Sequence, residues 1–191
     1  MRQVIVEEGK KYSLEEYIKI DETGTVRHEF YNGKLIPMPG ESLLHNSRCL
    51  LIYRLLFQTL PDTYSIFVES VKVKIEGEDK YVYPDIIVIK KQPAKNLPYA
   101  DYIIYEPLLI AEVLSESTGK HDLTDKFILY QKISTLQYYL AVEPEKQLVL
   151  FYEKNDEGEW MTKSYTELNE EIELKSLNVS INLNDIYSCS F

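Results

Sequence analysis

The sequence predicts an α/β protein: a mixed sheet flanked by helices. Three observations carry this. The elements run helix, hairpin, helix, three or so strands, helix, strands. Leu108 to Leu114 is apolar on both faces apart from Glu112, the pattern of a central strand covered on both sides. A helical stretch and a further strand, Gln137 to Val142, follow it, so these two strands are expected to pair in parallel. The remaining pairs are expected to be antiparallel, with extra antiparallel strands toward the C-terminus. Residues 1–191 are read as one domain, a length sufficient for a sizeable core.

Ser13 can cap a first helix to Ile20, and Glu16 completes a capping-box pattern. Thr23-Gly24 ends it. Arg27 to Tyr31 and Lys34 to Met38 flank Asn32-Gly33, a strong hairpin turn. Ser42 caps a longer helix to about Thr59, whose apolar face carries Leu44, Leu51, Ile52, Leu55 and Leu56. Tyr64 to Ile75 is rich in β-branched residues, but their alternation slips between Val68 and Val71, so a bulge or break is expected there. Glu76 to Asp79 is a turn, Tyr81 to Ile89 the next strand, and Pro93 to Pro98 a loop. Leu123, Phe127 and Tyr130 fall at i, i+4 and i+7, which predicts a helix over about Asp122 to Ile133. Leu148 to Tyr152, Trp160 to Tyr165 and Val179 to Ile181 complete the strands.

No apolar run reaches the roughly 20 residues of a membrane span, and Met1 to Glu8 is too short and charged for a signal peptide. Cys49, in a helix, and Cys189, near the end, make no disulfide framework, so a cytoplasmic location is expected. The net charge of -10 argues against broad electrostatic affinity for nucleic acid. Its distribution softens that objection. Glu153 to Lys175 carries eight acidic and three basic residues, whereas Lys72 to Lys95 carries six basic and four acidic ones.

Two carboxylates stand inside apolar strands, Asp85 after Pro84 and Glu112 in Leu108 to Leu114. An ionised carboxylate there is costly unless a cation meets it. If the two strands pair, Asp85 and Glu112 lie side by side, and two such groups repel unless a proton or a cation sits between them. Mg²⁺ suits such a pair, because it takes oxygen ligands and substrate phosphate. Lys126, on the following helix, can point back over the strand end. Alternatively, Asp122 and Lys126 are a solvated i, i+4 pair. His45, at a helix start, reads more readily as a capping or packing residue than as a ligand.

Pro84-Asp85, Glu112-Val113-Leu114-Ser115 and Asp122-x-x-x-Lys126-x-x-x-Tyr130 together resemble the PD-(D/E)xK nuclease superfamily, and within it the Uma-type restriction endonucleases. His28-Glu29-Phe30-Tyr31-Asn32-Gly33, Pro37-Met38-Pro39 and His45 extend the resemblance upstream, so that it runs from about Ser13 to Pro144. The resemblance implies a restriction-endonuclease-like core and a metal-dependent DNA endonuclease. Asp85 and Glu112 would ligate Mg²⁺ or Mn²⁺, with the Val113 carbonyl as a further ligand. Glu29 matches the upstream acid. The superfamily lysine position holds Leu114, and Lys126 stands where the Uma-type proteins place theirs. DNA is the expected substrate, a homodimer the expected assembly, and no membrane is expected. The alternatives are a catalytically degenerate nuclease-fold module that binds nucleic acid or protein and, more remotely, a glycosidase using the two acids.

Overall fold

The computed structural model describes residues 6, 7, 9–38, 40–91, 103–115 and 122–188. The expected loop at Pro93 to Pro98, His121, the side chain of Asp122 and Cys189 lie outside the described residues.

The chain opens with helix α1 (Leu14–Thr23), and Ser13 and Glu16 form the reciprocal capping box. Strands β1 (His28–Tyr31) and β2 (Lys34–Pro37) follow as an antiparallel hairpin. Its turn residues Asn32 and Gly33 both have positive φ, 50° and 90°, as a two-residue turn matched to strand twist requires. At Gly33 a Cβ would also stand 3.2 Å from the Tyr12 carbonyl. Helix α2 (Leu43–Thr59) is capped by Ser42 and buries Cys49, Leu51, Ile52 and Leu56 together with His45 and Arg48. Leu44 and Leu55 are only half-buried.

Strands β3 (Tyr64–Val68) and β4 (Lys72–Lys74) are separated where the alternation slips, with Glu69 and Ser70 at φ 50° and 56°. Next come β5 (Lys80–Val82) and β6 (Ile86–Lys90). The single strand expected from Tyr81 to Ile89 is therefore two, broken at Tyr83-Pro84-Asp85. Proline has no amide hydrogen for a ladder, so the pairing stops there and the chain passes from one sheet to another. Tyr81 on β5 and Ile87 on β6 therefore lie in different sheets.

Strands β7 (Ile103–Ile104) and β8 (Leu109–Val113) lead to a five-residue π turn, Asp122–Lys126, and a short helix α3 (Phe127–Tyr130). The helix expected to Ile133 thus stops at Tyr130 and begins with the wider π spacing. Strands β9 (Tyr138–Val142), β10 (Val149–Lys154), β11 (Trp160–Tyr165), β12 (Glu171–Leu174) and β13 (Val179–Asn182) precede helix α4 (Leu183–Tyr187).

Among the described residues the strands form three sheets: β2-β1-β5-β4-β7, β11-β10-β9-β8-β6-β3 and β12-β13. The class is α/β with mixed sheets and few flanking helices. In the six-stranded sheet, β8 is buried at every residue and pairs in parallel with β9 and antiparallel with β6. A second parallel pair, β4 with β7, was not expected.

The sheet is covered on both sides. One core packs Cys49, Ile52 and Leu56 of α2 and Ile172, Ile181 and Ile186 of the C-terminal segment on Leu109, Ala111 and Val113. The other packs Leu129, Tyr130 and Ile133, with Val73 and Val82 of the smaller sheet, on Ile110, Leu114 and Tyr139. A third cluster seats α1 on the smaller sheet, where Tyr17 stacks on Phe30 at 5.1 Å. Arg48, buried in the middle of α2, donates to the carbonyls of Pro144 at 3.1 Å and Ile186 at 3.0 Å and lies 4.8 Å from the Tyr187 ring. It ties α2 to the chain's C-terminal helix. Among the described residues no helix is long and apolar enough to cross a membrane.

Candidate functional site

Four charged side chains named from the sequence sit where the five- and six-stranded sheets approach. Glu29 lies on β1, opposite Ile36 in the hairpin. Asp85 ends the corner between β5 and β6. Glu112 is the penultimate residue of β8, and Lys126 is the last residue of the π turn. The β6–β8 register pairs Ile86 with Ala111, so one further step sets Asp85 opposite Glu112.

Lys126 joins two of the acids. Its Nζ lies 3.2 Å from Glu29 Oε1 and 3.4 Å from Glu112 Oε1. All three residues are buried, Glu29 4% exposed, Glu112 1% and Lys126 6%. Such charges need hydrogen-bonded company, and phenols supply it. Tyr130 OH donates to Glu112 Oε1 at 2.6 Å, and Tyr31 OH donates to Glu29 Oε2 at 3.0 Å. Glu29 Oε1 also accepts the Tyr83 backbone N–H at 3.1 Å. Lys126 and Tyr130, four residues apart, thus reach the same oxygen. Burial, then the Glu112 charge, pushes the Tyr130 hydroxyl well above the ordinary tyrosine range. Burial and Glu29 do the same to Tyr31. Both phenols therefore remain donors at any working pH.

Asp85 is held by a separate set of partners. Its Oδ2 accepts the Val113 backbone N–H at 2.7 Å and lies 3.2 Å from His45 Nε2. The Val113 amide thus locks the Asp85 carboxylate to the strand bearing Glu112. His45 sits on the first turn of α2, where its backbone N–H donates to the Ser42 cap at 3.1 Å. Its Nε2 is also 3.7 Å from Glu41 Oε2, and its Nδ1 is 3.7 Å from Cys49 Sγ. Burial pulls the His45 pKa down, but the bond to Asp85 and the Asp85 and Glu41 charges outweigh it, and the net shift is upward. Burial pushes the Cys49 thiol up, reinforced by the Asp85 charge.

The structure therefore brings Glu29, Glu112 and Lys126 into one ion cluster and fastens Asp85 beside it through Val113. Among the described residues, the group of histidine, cysteine and acidic side chains whose donor atoms all lie within 4.8 Å is His45, Cys49 and Asp85. Sequence reasoning missed His45 and Cys49 as neighbours of Asp85. The signal was present: they are one helical turn apart, behind a serine cap. A cavity of about 320 Å³ opens beside Asp85, lined by Arg27, Glu41, Ser42, Asn46, Ser70 and Tyr83 among others.

The molecule is a mixed α/β fold with a buried carboxylate and lysine cluster where its two larger sheets meet. The fold is shared with a crystal structure from Anabaena variabilis, described as a putative nuclease belonging to DUF820. That likeness has a TM-score of 0.71 and 19% identity, covering 93% of this chain and 98% of that one. The chain belongs to the Uma2 family, described as "Putative restriction endonuclease", whose model matches residues 14–184. Two Synechocystis proteins are similar over nearly their whole lengths. sll1609 is 33% identical over 92% of this chain and 99% of that one. slr1290 is 31% identical over 93% and 92%. The family assignment supports a nuclease.

Proposed function

We propose that this chain is a Mg²⁺- or Mn²⁺-dependent DNA endonuclease that hydrolyses phosphodiester bonds. The observation that carries the proposal is the Lys126 ammonium between Glu29 and Glu112, with Asp85 bound one residue away at Val113. Glu29, Asp85 and Glu112 gather three carboxylates here, two of them buried, where charge is costly unless it is matched. A hard divalent cation that prefers carboxylate and carbonyl oxygens fits that donor set. Asp85 and Glu112 would hold it, with the Val113 carbonyl as a further ligand. When bound, such an ion lowers the pKa of a water and stabilises charge on the leaving oxygen.

The chain's own groups supply the rest. The Lys126 ammonium, bridging two of the acids, orients an attacking water or neutralises the scissile phosphate. Glu29 anchors that ammonium from the neighbouring sheet, and Tyr130 fixes the Glu112 carboxylate. The Val113 amide and His45 bind one oxygen of Asp85 and so orient the other. A two-fold homodimer suits cutting of both duplex strands, and sedimentation tests it.

A second reading, a binding module without activity, is favoured by one observation. Lys126 already neutralises part of the Glu112 charge, so the cluster is partly satisfied without metal. Mn²⁺ binding and plasmid cleavage separate the two readings, measured on wild type, Asp85→Ala and Lys126→Ala. The nuclease reading expects saturable Mn²⁺ binding that weakens in Asp85→Ala, and cleavage lost in both variants. Wild-type protein that binds no Mn²⁺ and cuts no DNA would overturn it in favour of the module.

A further inference from the structure

The cluster behind Asp85 has a different chemistry from the carboxylates in front of it. His45 and Cys49 stand four residues apart on α2, with Cys49 Sγ 3.7 Å from His45 Nδ1. A histidine and a cysteine one helical turn apart are the spacing of a zinc-binding half-site. Asp85 reaches the same imidazole from the β5–β6 corner, its Oδ2 3.2 Å from Nε2. One donor atom from each of the three residues lies within 4.8 Å of the others. Zinc bonds of about 2.0–2.3 Å in a tetrahedron place their donors roughly 3.3–3.7 Å apart. The two short contacts run to different ring nitrogens, Asp85 to Nε2 and Cys49 to Nδ1, and an ion takes only one of them, so a donor swings in by up to about an ångström on binding. Glu41 Oε2, 3.7 Å from His45 Nε2, can complete the set. It lines the same cavity as Asp85, which provides an entry path.

We propose that His45, Cys49 and Asp85 form a second cation site, selective for a nitrogen- and sulfur-seeking divalent ion such as Zn²⁺. A thiolate and an imidazole favour Zn²⁺ over Mg²⁺, which selects oxygen donors. Binding releases the Cys49 proton to solvent as the sulfur becomes a ligand. Because Asp85 serves both sites, Zn²⁺ draws that carboxylate away from the oxygen-lined site and inhibits cleavage. This last clause rests on the endonuclease reading; the site itself does not.

Cobalt(II) and zinc titrations of the full chain, without DNA, test the site. Co²⁺ is expected to raise a near-ultraviolet sulfur-to-metal charge-transfer band that Zn²⁺ abolishes by displacement. In Cys49→Ser the band is expected to vanish and Zn²⁺ affinity to fall at least tenfold. In Cys189→Ser the band should persist. His45→Ala, checked for folding by circular dichroism, should weaken Zn²⁺ to a similar degree. Absence of the band in folded wild type, or unchanged Zn²⁺ affinity in folded Cys49→Ser, overturns the proposal and leaves the three residues a hydrogen-bonded chain. A protein that shows the band and cuts no DNA retains this site and loses the endonuclease reading. Where wild type cleaves, Zn²⁺ inhibition relieved in Cys49→Ser supports the shared carboxylate, and inhibition unchanged refutes it.

Discussion

Replacing Lys126 by methionine removes the ammonium and keeps most of the stem's volume. Glu29 and Glu112 then face each other at 4% and 1% exposure with their closest shared cation gone. Breaking a buried pair by deleting one partner costs about 3–5 kcal/mol, because a charge is left uncompensated. In a chain of this size each kcal/mol lowers Tm by about 2–4 °C, so a fall of roughly 6–20 °C is expected in EDTA. Part of that loss should return with Mn²⁺, since an ion at 100 times its Kd stabilises the folded state by about 2.7 kcal/mol. Adding Glu112→Gln to Lys126→Met should also recover stability, as one of the opposed charges is then neutral. Thermal unfolding by circular dichroism reads all three effects. A metal-free Lys126→Met within 1 kcal/mol of wild type, about what a solvated surface pair contributes, would refute the buried bridge.

Tyr130→Phe removes a charge-assisted bond to Glu112 and should cost about 1.5–3 kcal/mol in urea unfolding. Unchanged stability would mean that Glu112 finds another donor. The His45 pKa is raised on folding, so its bond with Asp85 contributes fully below the ordinary histidine value and is lost as pH rises through the folded value. The metal-free Tm gap between wild type and His45→Gln should therefore be widest below the ordinary histidine value of about 6.5 and shrink as the pH rises. A gap that widens with pH would contradict the upward shift. Ser13→Ala removes the hydroxyl that accepts the Glu16 N–H, one half of the capping box, and should cost about 1 kcal/mol, measured by the same unfolding.

The local features were legible because their causes are local. The capping box at Ser13 and Glu16, the Asn32-Gly33 turn and the slip between Val68 and Val71 each depend on a few adjacent residues. β8 was legible from period alone, since burial on both faces leaves an unbroken apolar run. The corner at Pro84 was misread although its signal was present: a proline inside a strand pattern argues against a continuous ladder. The π turn was not legible, because Leu123, Phe127 and Tyr130 fit an α-helical period equally well. β12, Glu171–Leu174, alternates acid and apolar residues over four positions, too short a stretch to distinguish from a turn. The acids and lysine of the site were identifiable as costly residues in apolar company. Most of the donors that satisfy them were not. Tyr130 and His45 reach their carboxylates through tertiary packing that no spacing encodes, whereas Tyr31 and Glu29 share a face of β1 two residues apart. The abundance of tyrosine is partly explained by the fold: Tyr17, Tyr31, Tyr130, Tyr138 and Tyr187 are buried or half-buried, and each hydroxyl donates a hydrogen bond.

The corner at Tyr83-Pro84-Asp85 has a consequence for how the molecule matures. Glu29 belongs to one hydrogen-bonded ladder, and Asp85 and Glu112 to another that begins where the first stops. Neither ladder alone assembles the ion cluster, so the cluster forms only after the two have docked. Its ionisable groups should therefore acquire their native environment late in refolding, after the strands have paired, and metal affinity would serve as a clock for that last step.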